Sequence, residues 1–501
     1  MRKRIILLVT CLIAAFGQSS VGTKPYRPLY HFSPANNWTN DPNGLLYAFG
    51  EYHLFFQYNP FGDLWGHMSW GHAVSKDLTH WEQLPVALPE QKDGMIFSGS
   101  TVLDSQNSSG FGKNGTGPIV AMYTKHREGL QNQNIAYSND HGRSWTTYSG
   151  NPVIDIHKAE FRDPMVFWYE PSKKWIVAVS LAKEYKIRFY SSPDLKNWSR
   201  LSEFGPAGVK NPPNWECPSL FELPVANAAG QRKWVLMLGA ADGAVAGGSG
   251  TQYFVGTFDG TTFVNDNSPD TVLWVDYGTD FYAAQTFSNL PKSAGAGVIL
   301  AWMNNWKYAA HVPTKPWRGQ MTCPRNLQLR KTAEGMRLFQ TPVEEIKALR
   351  GEHVEYRRSA LAKVNEALKA HDWPETLDMA AELEVSGSQD VGFELRKGAE
   401  HSTRIGYDAG KGVVYIDRTH SGSAVVDPAF TARRQEAPVS LHNGKLQLRV
   451  LLDRCSVEVF AQDGQIALTD LIFPDATDRK MELYESGGKS SVVSINIWKL
   501  Q

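Results

Sequence analysis

The chain has 501 residues, and its 51 Lys and Arg side chains balance its 51 Asp and Glu side chains. This balance excludes the strong positive field that draws proteins to nucleic acids or anionic membranes, so we expect no nucleic-acid partner and an uncharged ligand. The 16 Trp, 19 Tyr, 23 Phe, 43 Gly and 27 Pro residues favour short strands joined by tight turns, which predicts an all-β protein.

The N-terminus, MRKRIILLVTCLIAAFGQSSVG, has a basic start, an apolar run from Ile5 to Phe16 and small residues after it. This pattern predicts a cleaved signal peptide over residues 1–22, and hence a secreted or periplasmic protein. The run is short for a membrane span, and no later segment is long and apolar enough, so we expect no membrane span. The odd number of cysteines left after cleavage does not indicate a disulfide framework.

The middle of the chain repeats a unit made of a polar motif, an apolar strand, a turn and a second strand rich in aromatic residues. A second landmark keeps the same phase: an Asp followed four or five residues later by an aromatic ring, in SKDLTHW (75–81), SNDHGRSW (138–145), SPDLKNW (192–198) and TFDGTTF (257–263). Repeated sheets around an axis form β-propellers, so five units predict five blades over residues 28–338. The units begin at Asp41, Ser100, Asp163, Cys217 and Tyr282.

The C-terminal third has a different pattern. In TPVEEIKALRGE (341–352), Val343, Ile346 and Leu349 have helical spacing, which predicts a short linker over residues 339–351. Beyond it, alternating segments such as VGFELRKG and KGVVYIDR are separated by turn residues and predict a β-sandwich over residues 352–501. Glu458 in DRCSVEVF is expected to be structural. The predicted fold is therefore all-β: a five-bladed β-propeller followed by a C-terminal β-sandwich.

Three of the five predicted blade entrances carry an acid: Asp41 in WTNDPNG, Asp163 in EFRDP and Glu216 in WECP. Asp-Pro-Asn-Gly alone is ordinary turn chemistry. The innermost strands of a propeller surround one channel, however, so these acids converge, and crowded carboxylates indicate catalysis rather than structure. Two carboxylates that flank a sugar bond are the usual catalytic groups in glycoside hydrolysis.

The neighbours of the acids suggest their roles. Glu216 has apolar and weakly polar neighbours in NWECPSLF, which favours it as the proton donor. Asp41 has Asn40 and Asn43 beside it, and hydrogen bonds from these amides would keep it ionised. Adjacent strand residues point to opposite faces, so we expect the pairing of Asp163 with the preceding arginine to be nominal.

The motifs WTNDPNG, WGHAVSKDLTHW, FSGS (97–100), FRDP (161–164), ECP (216–218) and PWRGQMTCPRNL (316–327) occur in one order that resembles glycoside hydrolase family 32, the fructan hydrolases and invertases. Thr39 departs from the Met that is frequent there. The resemblance implies Asp41 as the nucleophile, Glu216 as the acid/base and Asp163 as the transition-state stabiliser. It also implies a group of pocket residues around a terminal fructose, namely Asn40, Gln57, Trp65, Phe97, Ser98, Arg162 and Trp317.

The sequence therefore predicts a retaining hydrolase that releases terminal fructose from β-D-fructofuranosides (levan, inulin or sucrose) through a fructosyl-enzyme intermediate. Walls formed by Trp65 and Trp317 would suit a closed, exo-acting pocket. Three alternatives stay open: a fructosyltransferase with the same scaffold, an inverting five-bladed glycosidase acting on pentosides, and a noncatalytic sugar-binding propeller. No cofactor or metal is expected, because the 14 His residues show no ligand spacing.

Overall fold

The computed structural model describes residues 25–113, 115–210, 214–291, 297–424 and 426–501, and the predicted signal peptide lies outside them. β-strands are the main secondary structure of these residues. Within this part of the chain, no helix has the length and apolar character needed to cross a membrane.

The first part of the chain forms five antiparallel sheets, one for each predicted blade. Blade 1 contains β1 (Asn37–Ala48), β2 (Glu51–Asn59), β3 (Ser69–Ser75) and β4 (Glu82–Leu88). Blade 2 contains β5 (Met95–Leu103), β6 (Ile119–Arg127), β7 (Leu130–Ser138), β8 (Thr146–Thr147) and β9 (Ile154–Lys158). Blade 3 contains β10 (Phe161–Tyr169), β11 (Lys174–Leu181), β12 (Lys186–Ser192) and β13 (Ser199–Phe204).

Blade 4 contains β14 (Trp215–Pro224), β15 (Arg232–Ala240), β16 (Gly250–Phe258), β17 (Phe263–Asn265) and β18 (Leu273–Trp274). Blade 5 starts with β19 (Tyr282–Thr286) and β20 (Val298–Trp302). The chain then forms β21 (Trp317–Arg318), which pairs in parallel with β1 of blade 1. It returns to blade 5 as β22 (Arg325–Thr332) and β23 (Gly335–Pro342). Short 3-10 helices occupy Glu170–Ser172, Ala182–Glu184 and Ala309–His311.

The innermost strands close into a ring. They contact one another in the cyclic order β1, β5, β10, β14, β19 and back to β1. A parallel bridge between Leu46 and Ser288 links blades 1 and 5 directly. This arrangement confirms the five-bladed propeller.

Each innermost strand contains a β-bulge at the same place. In all five strands two residues of the inner strand lie opposite one residue of its partner, so one residue is extra. Bulges bend a strand and redirect its side chains, and they occur next to active sites. The repeated bulge therefore turns one cluster of side chains from every blade toward the same end of the channel. It lies between Thr39 and Pro42, Ile96 and Gly99, Arg162 and Met165, Glu216 and Ser219, and Tyr282 and Gln285.

The repeated Asp landmark is a turn before the fourth strand of four blades. In blade 1, the Asp77 side chain accepts the backbone N–H groups of Thr79 and His80, and Trp81 Nε1 donates to the Leu78 carbonyl. Asp140, Asp194 and Asp259 cap the corresponding turns in the next three blades. These local hydrogen bonds explain why the motif keeps the period of the repeat.

The segment predicted as a linker contains the end of β23 and a 3-10 helix at Glu344–Leu349. Two sheets follow, in the strand orders β24-β34-β25-β30-β31-β32 and β29-β28-β27-β26-β33. Their inward-facing side chains form one apolar core, which confirms the sandwich. The elements are β24 (Arg350–Ala360), α1 (Leu361–Lys369), β25 (Leu377–Glu384), β26 (Asp390–Lys397), β27 (Thr403–Asp408), β28 (Val413–Asp417), β29 (Gln435–Pro438), β30 (Lys445–Asp453), β31 (Ser456–Ala461), β32 (Ile466–Leu471), β33 (Lys480–Ser486) and β34 (Ser491–Leu500).

A buried ion network joins the propeller to the sandwich. Arg325 of blade 5 pairs with Asp276 at 2.8 Å and also with Glu458 of β31. His31, in the segment before β1, contacts Glu458 Oε1 at 2.7 Å and Asp453 Oδ2 at 2.8 Å. These five side chains are fully buried. Glu458 therefore links the two domains.

Candidate active site

A cavity of about 330 Å³ lies at the channel end to which the repeated bulges point. It brings together most of the residues that the sequence singles out. Asn40, Asp41, Gln57, Trp65, Phe97, Ser98, Arg162, Asp163 and Glu216 all line it.

The three acids come from blades 1, 3 and 4, and they occupy successive positions around the bulge. Glu216 is the last paired residue before the bulge of β14, and Asp163 is the first bulge residue of β10. Asp41 is the second bulge residue of β1. The repeat alone predicts equivalent positions, so the structure differs by one residue from blade to blade. This offset lets the three carboxylates approach one point from different directions.

Asp41 is buried and held by hydrogen bonds. Ser98 Oγ donates to Asp41 Oδ2 at 2.7 Å, and Asn40 Nδ2 donates to Oδ1 at 3.1 Å. Burial raises the pKa of Asp41, the Ser98 and Asn40 hydrogen bonds lower it, and the charge of Glu216 raises it. The balance is a raised pKa. Asn40 thus helps to hold the carboxylate, as expected from the sequence, whereas the Asn43 amide lies against Ser98 and Gln57 instead.

Asp163 adopts a left-handed backbone conformation, with φ of 62°. The Cys217 backbone N–H donates to its Oδ2 at 3.0 Å. Burial raises the pKa of this carboxyl; Arg162 lowers it, while the charges of Glu216 and Asp41 raise it further. Arg162 Nε lies 4.0 Å from Asp163 Oδ2, so the two groups interact by charge without a hydrogen bond.

Both oxygens of Glu216 have polar partners, in contrast to the apolar surroundings that its sequence neighbours suggest. Arg162 Nη2 donates to Oε1 at 2.7 Å, and the Tyr282 hydroxyl donates to Oε2. Arg162 also bonds Glu160, so one guanidinium bridges two acids at the rim. The cavity therefore holds several carboxylates around one fixed cation, an arrangement that can stabilise positive charge on a bound sugar.

Aromatic rings form the cavity wall. Trp65 is 46% exposed, and its ring meets the edge of Phe97 at 6.0 Å. His126 stacks on Phe97 with the ring centroids 4.3 Å apart. Trp306, which is 36% exposed, supplies the second tryptophan.

Trp317, predicted as the second tryptophan, does not line this cavity. It is 0% exposed, and the Arg27 guanidinium lies over its ring at 3.6 Å. The physical reason is that β21 pairs with β1, which places Trp317 inside the wall behind the site. Trp317 therefore supports β1, the strand that carries Asp41, from behind the cavity.

Several site residues were not predicted. Tyr282 holds in blade 5 the position that Glu216 holds in blade 4, so the phased repeat contains a signal for it. Glu160 directly precedes the FRDP motif. Trp306 has no such signal, because it reaches the cavity from a long loop between β20 and β21 by packing on Trp302 at 4.8 Å. The cavity lining also includes His126, Gln131 and Asn214.

One group of potential metal ligands occurs among the described residues, namely His401, Asp475 and Asp478 in the sandwich. His401 Nδ1 already contacts Asp475 Oδ2 at 3.0 Å, and Ser423 Oγ donates to the same aspartate. None of the three lines the cavity.

Known proteins are similar to this chain over nearly its whole length. Residues 31–342 match the glycosyl hydrolases family 32 N-terminal domain, and residues 345–499 match the C-terminal domain of that family. The chain is 47% identical to a levanase of Bacillus subtilis (strain 168) over 100% of this chain and 75% of the relative. It is 41% identical to an extracellular exo-inulinase of Aspergillus ficuum over 99% of this chain and 98% of the relative. The crystal structure of exo-inulinase from Aspergillus awamori is similar, with a TM-score of 0.89, 40% identity and coverage of 96% of this chain and 99% of that one.

Proposed function

Because the chain belongs to glycosyl hydrolase family 32 and is a glycosidase, we propose that it is a retaining, exo-acting hydrolase of β-D-fructofuranosides. The relatives named levanase and exo-inulinase support action on levan and inulin, and a similar β-fructofuranosidase of Bombyx mori, solved in complex with sucrose, supports action on sucrose. Relatives described as extracellular, together with the N-terminal pattern, support a secreted or periplasmic location.

One observation carries the proposal: Asp41, Asp163 and Glu216 line a single cavity large enough for a sugar and are fixed there by repeated bulges. In the proposed first step, Glu216 gives a proton to the glycosidic oxygen while the Asp41 carboxylate attacks the anomeric carbon. The bond to the leaving sugar breaks, and fructose becomes an ester of Asp41. In the second step Glu216 takes a proton from water, whose oxygen attacks the anomeric carbon and releases Asp41.

Asp163 is proposed to hold the hydroxyls of the fructosyl unit while positive charge develops on the ring. Its raised pKa makes a neutral, hydrogen-bond-donating form accessible near neutrality. A retaining mechanism requires the carboxyl groups of Asp41 and Glu216 to lie about 5 to 5.5 Å apart, whereas inversion requires roughly 6.5 to 9.5 Å.

Exo-action is proposed from the shape of the site. Asn40, Gln57 and Arg162 surround one compact cavity, and Trp65 and Trp306 stand at its walls. Such a set fits one terminal sugar, whereas chain cleavage needs binding groups on both sides of the acids. Digests of levan and inulin, sized over time, should contain free fructose from the first minutes while polymer length falls slowly. Oligosaccharides that precede free fructose would contradict exo-action.

The stereochemistry of the first product tests the retaining mechanism. We expect NMR of early sucrose hydrolysis to show β-fructofuranose before mutarotation, because two inversions at the anomeric carbon restore its configuration. The α anomer as first product would support the inverting alternative. Product analysis at high sucrose separates hydrolysis from transfer, since a transferase would convert sucrose mainly into longer oligosaccharides.

A further inference from the structure

A second cavity, of about 550 Å³, lies at the opposite end of the propeller channel, and we refer to it as the distal cavity. Its lining comes from the last residues of the innermost strands, such as Leu103 of β5, Tyr169 of β10 and Thr286 of β19. At a rise of about 3.3 Å per residue, Trp168 lies roughly 15 Å along β10 from Asp163.

Hydrogen bonds between blades separate the two cavities. Ser100 Oγ of blade 2 donates to the Pro164 carbonyl of blade 3 at 2.9 Å, and it accepts the Val166 N–H at 2.9 Å. Ser219 of blade 4 and Thr286 of blade 5 bond through their hydroxyls at 3.0 Å. A ligand in the distal cavity would therefore not contact the three acids, and the cavity is a separate site.

Aromatic rings from blades 3 and 4 line the distal cavity; Trp175 and Phe258 are buried, whereas Phe167, Trp168 and Trp234 are only half-buried although they pack on neighbouring rings. Phe167 meets Trp234 at 5.5 Å, and Trp168 meets the edge of Trp175 at 5.1 Å. Phe221 adds a further half-buried ring. A concave, partly exposed group of rings on a folded domain marks a binding site more often than a solvent surface.

Polar groups stand among these rings. Glu170 is exposed and accepts the Trp168 Nε1–H at 2.7 Å, which fixes the orientation of the indole. Glu222 and Asn289 line the cavity beside the rings. Ring faces pack on the C–H face of a sugar, while carboxylate and amide groups bond its hydroxyls. Glu170 pairs with Lys173 and Glu222 pairs with Arg232, so the charges at the cavity are balanced and the combination suits a neutral polyhydroxylated chain.

We propose that the distal cavity binds internal units of the fructan polymer whose ends are hydrolysed at the candidate active site. This inference rests on the proposed function, which supplies the polymer. Two sites on one molecule convert the second contact with a polymer into an intramolecular event, so the enzyme stays near chain ends when polymer is scarce.

Native gels that contain levan, inulin or the neutral glucan dextran test the proposal. The measured quantity is the retention of the full-length chain in each gel. An Asp41→Asn background prevents digestion of the gel. Trp168→Ala should weaken retention by levan or inulin about fivefold, as expected for one lost ring contact, and the exposed Glu170→Gln should act in the same direction. Trp198→Ala is the matched control, because this half-buried tryptophan of the same blade lines neither cavity and should leave retention unchanged.

In the active background, Trp168→Ala should keep kcat/KM for sucrose within about twofold while the rate on dilute polymer falls about threefold or more. The proposal would be overturned if the parent chain were not retained by fructan, or if dextran retained it equally. It would also be overturned if neither variant weakened retention by fructan. A Trp168→Ala chain that only loses self-association in size-exclusion chromatography would identify a second copy as the occupant instead. Failure of the proposed function is recognised separately, as a parent enzyme that releases no fructose from sucrose or polymer.

Discussion

At the residue scale, the charge of each acid depends on a few fixed partners. Asp41 is 9% exposed, so burial removes most of the water that would solvate its ionised form. Hydrogen bonds from Ser98 and Asn40 replace part of that solvation. Glu216 instead accepts one hydrogen bond from Arg162 and one from Tyr282. The two acids of the proposed mechanism thus have different surroundings, which is the usual way in which paired carboxylates acquire different roles.

Tyr282→Phe tests the positioning of Glu216. The change removes the hydroxyl that donates to Glu216 Oε2 but keeps the buried ring. We expect kcat for sucrose to fall about tenfold with KM within about twofold, because a hydrogen bond to a charged group contributes roughly 1.5 to 3 kcal/mol. The pH profile of kcat should shift as well, which loss of packing alone would not cause.

Tyr30→Phe is the matched control, since the Tyr30 hydroxyl is buried without a hydrogen-bond partner among the described residues. Its kcat and pH profile should equal those of the parent enzyme. If Tyr282→Phe also leaves both unchanged, Tyr282 does not position the acid.

Motif residues of the site could be predicted from the sequence because short local segments carry them, as WTNDPNG carries Asn40 and Asp41. Local motifs could not show which tryptophan, Trp306 or Trp317, is open to the cavity. Trp317 lies under Arg27, and Trp306 lies against Trp38 and Trp302, so their exposure depends on contacts between distant segments. Residue type indicates that a ring can bind a sugar, but only packing decides which ring is open.

At the element scale, the repeated bulge determines where the side chains of the inner strands point. In β1, Gly44 lies in a second bulge, between Asn43 and Leu46, that directly follows the repeated one. Its φ is 52°, and a Cβ atom there would lie 2.7 Å from Thr101 Cγ2 and 2.8 Å from Phe55 Cδ2. The Gly of the WTNDPNG motif is therefore required both for its backbone conformation and for close packing between blades 1 and 2.

Gly44→Ala should lower the free energy of unfolding by about 2 to 4 kcal/mol and reduce activity, because strain and overpacking act together beside Asp41. Gly50→Ala provides the comparison: Gly50 has φ of 82°, but an added Cβ would meet nothing within 4 Å. We expect a loss of only about 1 kcal/mol and normal activity for Gly50→Ala. Equal losses in chemical denaturation would show that packing at the bulge is unimportant.

The blade repeat could be predicted because each Asp turn and each inner strand has its own local signal. The described residues of blade 5 contain no counterpart of the Asp turn, and β21 leaves this blade to pair with β1. That pairing joins segments from opposite ends of the propeller sequence, and it follows from closure of the ring. No local pattern could indicate it.

At the scale of the whole molecule, the propeller and the sandwich are joined through the buried network around His31. Burial alone would lower the pKa of His31, but its hydrogen bonds to Asp453 and Glu458 and their charges raise it to about 9. The folded protein therefore holds this proton more tightly than the unfolded chain, whose histidines titrate near 6.5.

His31 therefore stabilises the fold fully below pH 6.5, and this contribution is lost as the pH rises through about 9. The free energy of unfolding should fall between these values, by an amount on the order of 3 kcal/mol, and His31→Gln should remove this part of the pH dependence. His80→Gln is the control, because His80 also contacts an aspartate but is exposed. Parallel curves for the parent and His31→Gln chains would contradict the account.

Mass spectrometry of a trapped intermediate shows whether Asp41 forms the proposed covalent bond to fructose. Glu216→Gln should form the ester with fructosyl fluoride, whose leaving group needs no acid, and hydrolyse it slowly because no base activates water. We expect the peptide containing Asp41 to gain the mass of one fructosyl group. An added Asp41→Asn change should abolish the label, and Asp41→Asn alone should keep the fold while turnover falls at least about 1,000-fold. A label on Asp163 or another residue, or rapid release of fructose with no label, would contradict the proposed covalent bond.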